Sequence, residues 1–115
     1  KEVEIVMKSE AVLIGNPSIS DEKQAILDEL LFRFDSYKNA EGKKYIVLNI
    51  PNDKIEEATQ LLPGMKAPTV TPLETEGWSS LASVLEEKHF WEIIEKLKAL
   101  GAEGILVMPI EKMIL

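Results

Sequence analysis

Apolar residues recur along this chain with two different periods, and the switches between them mark out its elements. Val3 to Met7 and Ala11 to Ile14 run short and strand-like, joined by Lys8-Ser9-Glu10 and closed by the turn-forming Gly15-Asn16-Pro17. Two short strands alone are barely stable. The spacing then lengthens: Ile26, Leu27, Leu30, Leu31 and Phe34 repeat at helical intervals, with Ser20 and Asp21 available as N-caps. This predicts a long helix that ends near Asn39, before the turn-prone Glu41-Gly42.

A second block opens at Lys44 with Tyr45-Ile46-Val47-Leu48-Asn49-Ile50, a mostly apolar run stopped by Pro51 that reads as a buried strand. Asp53 and Glu56 have the spacing of a capping box, so Ile55, Ala58, Leu61 and Leu62 predict a short helix broken at Pro63-Gly64. Thr69 to Leu73 is β-prone, but Pro68 and Pro72 confine it to an edge, because proline cannot donate to a sheet ladder. Past the turn at Gly77, Trp78 to Leu85 alternates well enough to pair with it as a hairpin. Phe90, Ile93, Ile94, Leu97 and Leu100 then mark an amphipathic helix beginning at Glu87 and stopped by Gly101, and Ile105 to Met108 reads as a buried last strand. From Lys44 the order is strand, helix, strand, strand, helix, strand. The expected class is therefore α+β, a ferredoxin-like split βαββαβ domain with a four-stranded antiparallel sheet and two helices on one face, preceded by a strand segment and the long helix.

Composition narrows the function classes. A chain of 115 residues with 45% hydrophobic content can form a core without disulfides or metal. Its formal net charge of -7, spread over helix faces, weighs against nucleic acid or an anionic membrane as partner. There are no cysteines, no apolar run near the roughly 18 residues of a membrane span, and no leader-like segment, so the expected location is cytoplasmic. The start at Lys1-Glu2-Val3-Glu4, already alternating, reads as the cut end of a longer chain.

Candidate chemistry is sparse. His89 is the sole histidine and reads as a helix-start surface residue; one histidine cannot make a metal site. Glu56-Glu57 and Glu86-Glu87 are adjacent in sequence, point apart on a helix and suit its N-terminal half, so they read as solvated faces. Gly101 and Gly104 form only a G-x-x-G at a helix end, with no phosphate-binding loop around it. The more informative stretch is Leu62-Pro63-Gly64-Met65-Lys66-Ala67-Pro68-Thr69-Val70-Thr71-Pro72-Leu73, where rigid proline units flank small and hydroxyl residues. It reads either as a rigid connector or as a loop whose backbone groups and Thr69 hydroxyl suit a small polar ligand.

Asn49-Ile50-Pro51-Asn52, Leu62-Pro63-Gly64-Met65, Ala67-Pro68-Thr69-Val70, Pro72-Leu73 and Gly77-Trp78 stand in an order that resembles the C-terminal domain of long-form ATP phosphoribosyltransferases. The closing Leu97-Lys98-Ala99-Leu100-Gly101-Ala102-Glu103-Gly104-Ile105-Leu106-Val107, followed by Pro109-Ile110-Glu111-Lys112-Met113-Ile114, is similar to that family's ending. The likeness runs from Lys44 to Leu115, and Glu10 to Ile14 with the following helix looks like the family's segment leading out of its catalytic domain.

That resemblance implies two parts: residues 1–43, a terminal strand and helix of the catalytic domain with its linker, and residues 44–115, a ferredoxin-like regulatory domain. It implies a hexameric enzyme that joins ATP to phosphoribosyl pyrophosphate, with Mg2+, giving phosphoribosyl-ATP and pyrophosphate at the start of histidine biosynthesis. The phosphoribosyl-pyrophosphate loop has no counterpart here, so the piece is expected to be catalytically silent, with no catalytic residue, metal or cofactor of its own. L-Histidine, as feedback effector, is expected against Met65, Ala67 and Thr69, with Asn49 at the first strand's end and Ala102 to Gly104 beyond the last helix, in a pocket between subunits. Where the family often has Ser, Ala67 offers only its backbone. The alternatives are a small enzyme of this fold, for which convergent ionisable groups are missing, and a generic small-molecule-sensing or trimer-forming signalling module.

Overall fold

Strand β1 (Lys43–Pro51) sits at the centre of the molecule, and its alternation explains why. Ile46, Leu48 and Ile50 point to one face and are fully buried, while Tyr45, Val47 and Asn49 point to the other, more open face. The computed structural model describes residues 11–115 except Pro63. Along them run α1 (Asp21–Ala40), β1, α2 (Ile55–Leu61), β2 (Thr69–Pro72), β3 (Trp78–Glu86), α3 (Phe90–Ala99) and β4 (Glu103–Pro109), with 3-10 turns at Asn52–Lys54 and Glu87–His89. The sheet order is β2-β3-β1-β4 with every neighbour antiparallel, which is the split-βαβ arrangement the element order predicts.

The core lies between the sheet and two helices. Ile46, Leu48, Ile50, Leu81 and Leu85 from the sheet meet Ala58, Leu62 and Leu97, and Phe90, Ile93 and Ile94 of α3 pack against them. Burying each of the larger aliphatic side chains contributes about 1.5–3 kcal/mol. Inward positions of β3 alternate Ser79, Leu81, Ser83, Leu85, all buried, so two hydroxyls lie within an apolar layer. Each has a partner: Ser79 Oγ donates to Asn52 Oδ1 at 2.6 Å, and Ser83 Oγ lies 3.5 Å from the Leu62 carbonyl.

Several expectations change. Asp53 and Glu56 form no capping box: a 3-10 turn precedes α2, whose N-terminus has no side-chain cap, and Asn52 is committed to Ser79. Ala11 to Ile14 is not a strand; none of the described strands pairs with it, and Ile14 is 88% exposed. The expected strand at Val3 to Met7 lies outside the described residues. Ile105 to Met108 does form a strand, but β4 is a sheet edge paired only with β1, and Leu106 is 60% exposed. An apolar run specifies a strand here, and chain order then sets it at the rim. The long helix α1 forms as predicted, with Ser20 Oγ accepting from the Lys23 N–H at 3.4 Å, yet none of its residues belongs to the core cluster.

Candidate functional site

Helix α3 ends in a way that fixes the start of β4. Gly101, at φ +93°, takes the left-handed conformation; its N–H donates to the Lys98 carbonyl at 3.0 Å and the Ala102 N–H donates to the Leu97 carbonyl at 3.1 Å. These two bonds make a Schellman stop, which seats Ala102 half-buried against the core and spends its N–H. Two residues on, Gly104 lies beside β1 at φ +58°, where a Cβ would be in ordinary contact with Asn49 Nδ2 at 3.6 Å and only the backbone conformation favours glycine. The β1–β4 pairing is irregular between Val47 and Asn49, and beyond that break Asn49 stands opposite Glu103. A bulge at this point turns local side chains out of the regular pleat. Gly104 thus lies against Asn49, while Ala102 and Gly104, without Asn49, line a cleft of about 340 Å3 together with Phe90, Ile94, Lys98, Glu103 and Val107.

The other three expected residues stand elsewhere. Thr69 opens β2 and pairs with Ala82 of β3; Met65 and Ala67 precede it on the exposed loop. Since β2 and β4 are opposite rims of the sheet, Thr69 and Gly104 are separated by three strand spacings, about 14 Å. The loop leading to Thr69 is nonetheless held. Gly64, at φ +61°, lies over β3 so tightly that a Cβ would come 2.7 Å from Ser83 Oγ. A side chain at 64 would meet both backbone strain and a buried hydroxyl.

Register also exposes residues that spacing alone does not single out. Thr71, Ser80, Asn49 and Glu103 are successive partners across all four strands, a polar row on the open face. Next to it lie Thr69, Ala82, Val47 and Leu106, which are mostly apolar. Ser80 and Glu103 are hidden in the sequence because only cross-strand pairing gives them meaning; Ser83 carried a weak signal, a hydroxyl at an inward position of an otherwise apolar alternation.

His89 occupies the N-cap position of α3 but makes no capping bond, and it is exposed. It lines a second cleft of about 320 Å3 with Leu61, Gly64, Val84 and Lys88, at the opposite end of α3 from Ala102. Glu86 beside it is held below the usual carboxylate range, first by a hydrogen bond from Lys88 and then by that ammonium's charge. Among the described residues no group of three or more His, Asp or Glu is placed to hold a metal ion. Nor is any described helix long and apolar enough to cross a membrane.

Comparison with known proteins is specific. The family model described as HisG, C-terminal domain, matches residues 40–112. The chain is 66% identical to the ATP phosphoribosyltransferases of Phocaeicola vulgatus and Bacteroides fragilis over 115 residues, all of this chain and 41% of each relative. With the ATP phosphoribosyltransferase of Cytophaga hutchinsonii the identity is 60% over 114 residues, 99% of this chain and 40% of the relative. The chain thus spans about two fifths of the length of the curated relatives it matches.

Proposed function

The chain belongs to the HisG C-terminal domain family, and from that premise we propose that it is the regulatory region of an ATP phosphoribosyltransferase, binding L-histidine as feedback effector within a homo-oligomer. The parent reaction joins ATP to phosphoribosyl pyrophosphate, with Mg2+, in the part of the enzyme that precedes this region. The region itself catalyses nothing. Residues 44–115 are the sensing domain, and residues 1–43 with α1 are the connection to the catalytic body, in a cytoplasmic hexamer.

One observation carries this reading: the two halves of the candidate site lie on opposite rims of one sheet. Asn49, Ala102 and Gly104 stand at the β4 rim, while Met65, Ala67 and Thr69 stand at the β2 rim. One copy cannot close both around an amino acid, but the β4 rim of one copy facing the β2 rim of the next would. The chemistry is suitable. Glu103 and the Asn49 carbonyl oxygen are acceptors for an ammonium, and the Thr69 hydroxyl is a donor for a carboxylate or ring nitrogen. A pocket shared between copies lets occupancy bias the assembly, because a ligand shifts only equilibria in which it has different affinity for two states.

The test is calorimetric titration with L-histidine, with histidinol and arginine as controls and light scattering to fix the oligomer. Histidine alone should saturate. Thr69→Val should weaken it about three- to tenfold, the value of one neutral hydrogen bond. A well-folded oligomer giving no saturable heat, or unchanged affinity in Thr69→Val, would overturn the assignment.

A further inference from the structure

The C-terminal segment does not end with the sheet. After β4 stops at Pro109, residues Ile110 to Leu115 turn back over the last two turns of α1. The Met113 N–H donates to the Ser36 carbonyl at 2.7 Å, and Asn39 Nδ2 donates to the Met113 carbonyl at 3.3 Å, so both backbone groups of Met113 are engaged by the helix. Lys112 Nζ lies 5.2 Å from the centre of the Tyr37 ring. Ser36 is buried and turns its hydroxyl back to the Phe32 carbonyl at 2.9 Å, a bond that loosens the helix at the turn being grasped.

These contacts carry weight because α1 has so few others. It contributes nothing to the core cluster and buries only Ser36 and Ala40, of which Ser36 is bonded to the tail. The tail, in turn, continues directly from β4, which follows Ala102 and has Gly104 as its second residue. β4 spans seven residues, about 23 Å of extended chain, with its one irregularity against β1 at the Asn49–Glu103 end. A strand with a bulge at one end and regular pairing over the rest can shift there and pass the displacement along its length.

We infer that Ile110–Leu115 is a clasp through which the state of the β4 start reaches α1. The inference rests on the effector reading above: an amino acid seated against Ala102–Gly104 acts on the bulged end of β4, and the clasp delivers the change to the helix that leads toward the rest of the enzyme. Such coupling needs a continuous element in contact with both places, and β4 with its tail is continuous.

Amide exchange over Ser36 to Ala40 tests it, with and without saturating L-histidine, in four chains: unaltered, Met113→Pro, Asn39→Ala, and one ending at Ile110. Met113→Pro removes the N–H that reaches Ser36, and also the side chain and the freedom of Lys112, which is why the shortened chain and Asn39→Ala stand beside it. Histidine should slow exchange in those turns about tenfold in the unaltered chain. In the other three it should bind within about threefold of normal affinity while the α1 response falls away. A response that survives in Met113→Pro and in the shortened chain overturns the clasp. If histidine binds none of them, the effector reading fails instead, and the clasp is judged by Gly104→Ala, which strains the β4 start at φ +58° without ligand. That change should speed α1 exchange only when the tail is present; an equal effect without the tail, or none with it, overturns the clasp.

Discussion

Helix α3 is ten residues long and places Leu97 fully out of solvent against the sheet. Helix α1 is twice that length, has a better N-cap, and leaves Ile26 65% and Phe34 53% exposed. Both show apolar residues at helical spacing, and both form. What separates them is the opposite surface: α3 packs on the core that β1 and β3 supply, whereas the hydrogen bonds α1 receives from beyond its own caps, among the described residues, come from the chain's tail. Periodicity tells which side of a helix seeks cover, and says nothing of whether the cover lies in the same stretch of chain. Among the described residues nothing covers Ile26 and Phe34 of α1, in a chain that spans 41% of its relatives' length.

The largest test of this contrast pairs one leucine from each helix. Leu97→Ala should cost about 2–5 kcal/mol, because the site is closed and cannot collapse without moving β1 or β3. Leu30→Ala, at a half-exposed position, should stay within about 0.5 kcal/mol in this chain. Urea unfolding followed by the fluorescence of Trp78 and Trp91 measures both. A comparable loss at Leu30 would mean that α1 is packed in solution, and the contrast would fall.

A smaller effect concerns the cap. Ser20 satisfies the Lys23 N–H, and its carbonyl accepts from the Gln24 N–H at 2.8 Å. Ser20→Ala should remove about 1 kcal/mol from α1 alone. Helical dichroism should fall before the cooperative transition while the sheet domain's midpoint stays fixed. A shift of that midpoint would show α1 and the sheet unfolding as one unit.

How much was legible in the sequence follows the same division. The element order from Lys44 onward was readable because each element carries its own signal: β-branched alternation at Tyr45–Ile50, helical spacing from Phe90 to Leu100, and Gly101 as a stop. The capping box failed because a 3-10 turn takes up Asn52–Lys54 and leaves Lys54, not Asp53, at the N-cap of α2, while Asn52 is held by Ser79 across 27 positions, a contact that local spacing cannot report. Ile105 to Met108 looked buried because composition records apolarity and not sheet order. Of the candidate site, the residues could be named from motif resemblance, but their division between two rims emerges only from strand order, and Ser80, Glu103 and the Gly64–Ser83 contact only from register and close approach.

The smallest expected effect sets the two helices against each other by pH. In α3, Glu92 is held below the ordinary glutamate range, first by the hydrogen bond from Lys96 at 2.7 Å and then by its charge. A carboxylate depressed in the folded state adds stability that is present above its unfolded value and lost as pH falls through the folded one. At the foot of α1, Lys112 is raised above the ordinary lysine range, chiefly by the Tyr37 hydroxyl and next by Tyr37's charge, with Glu111 adding to both. Its contribution is complete below the unfolded value and is lost as pH rises through the folded one. Protection against exchange, taken relative to the intrinsic rate at each pH, should therefore fall slightly in acid at the α3 C-terminal turns and slightly in alkali at Ser36 to Ala40. Glu92→Gln should abolish the first dependence and Lys112→Met the second. If Lys112→Met left the alkaline change in place, the tail would be held by the backbone bonds at Met113 alone.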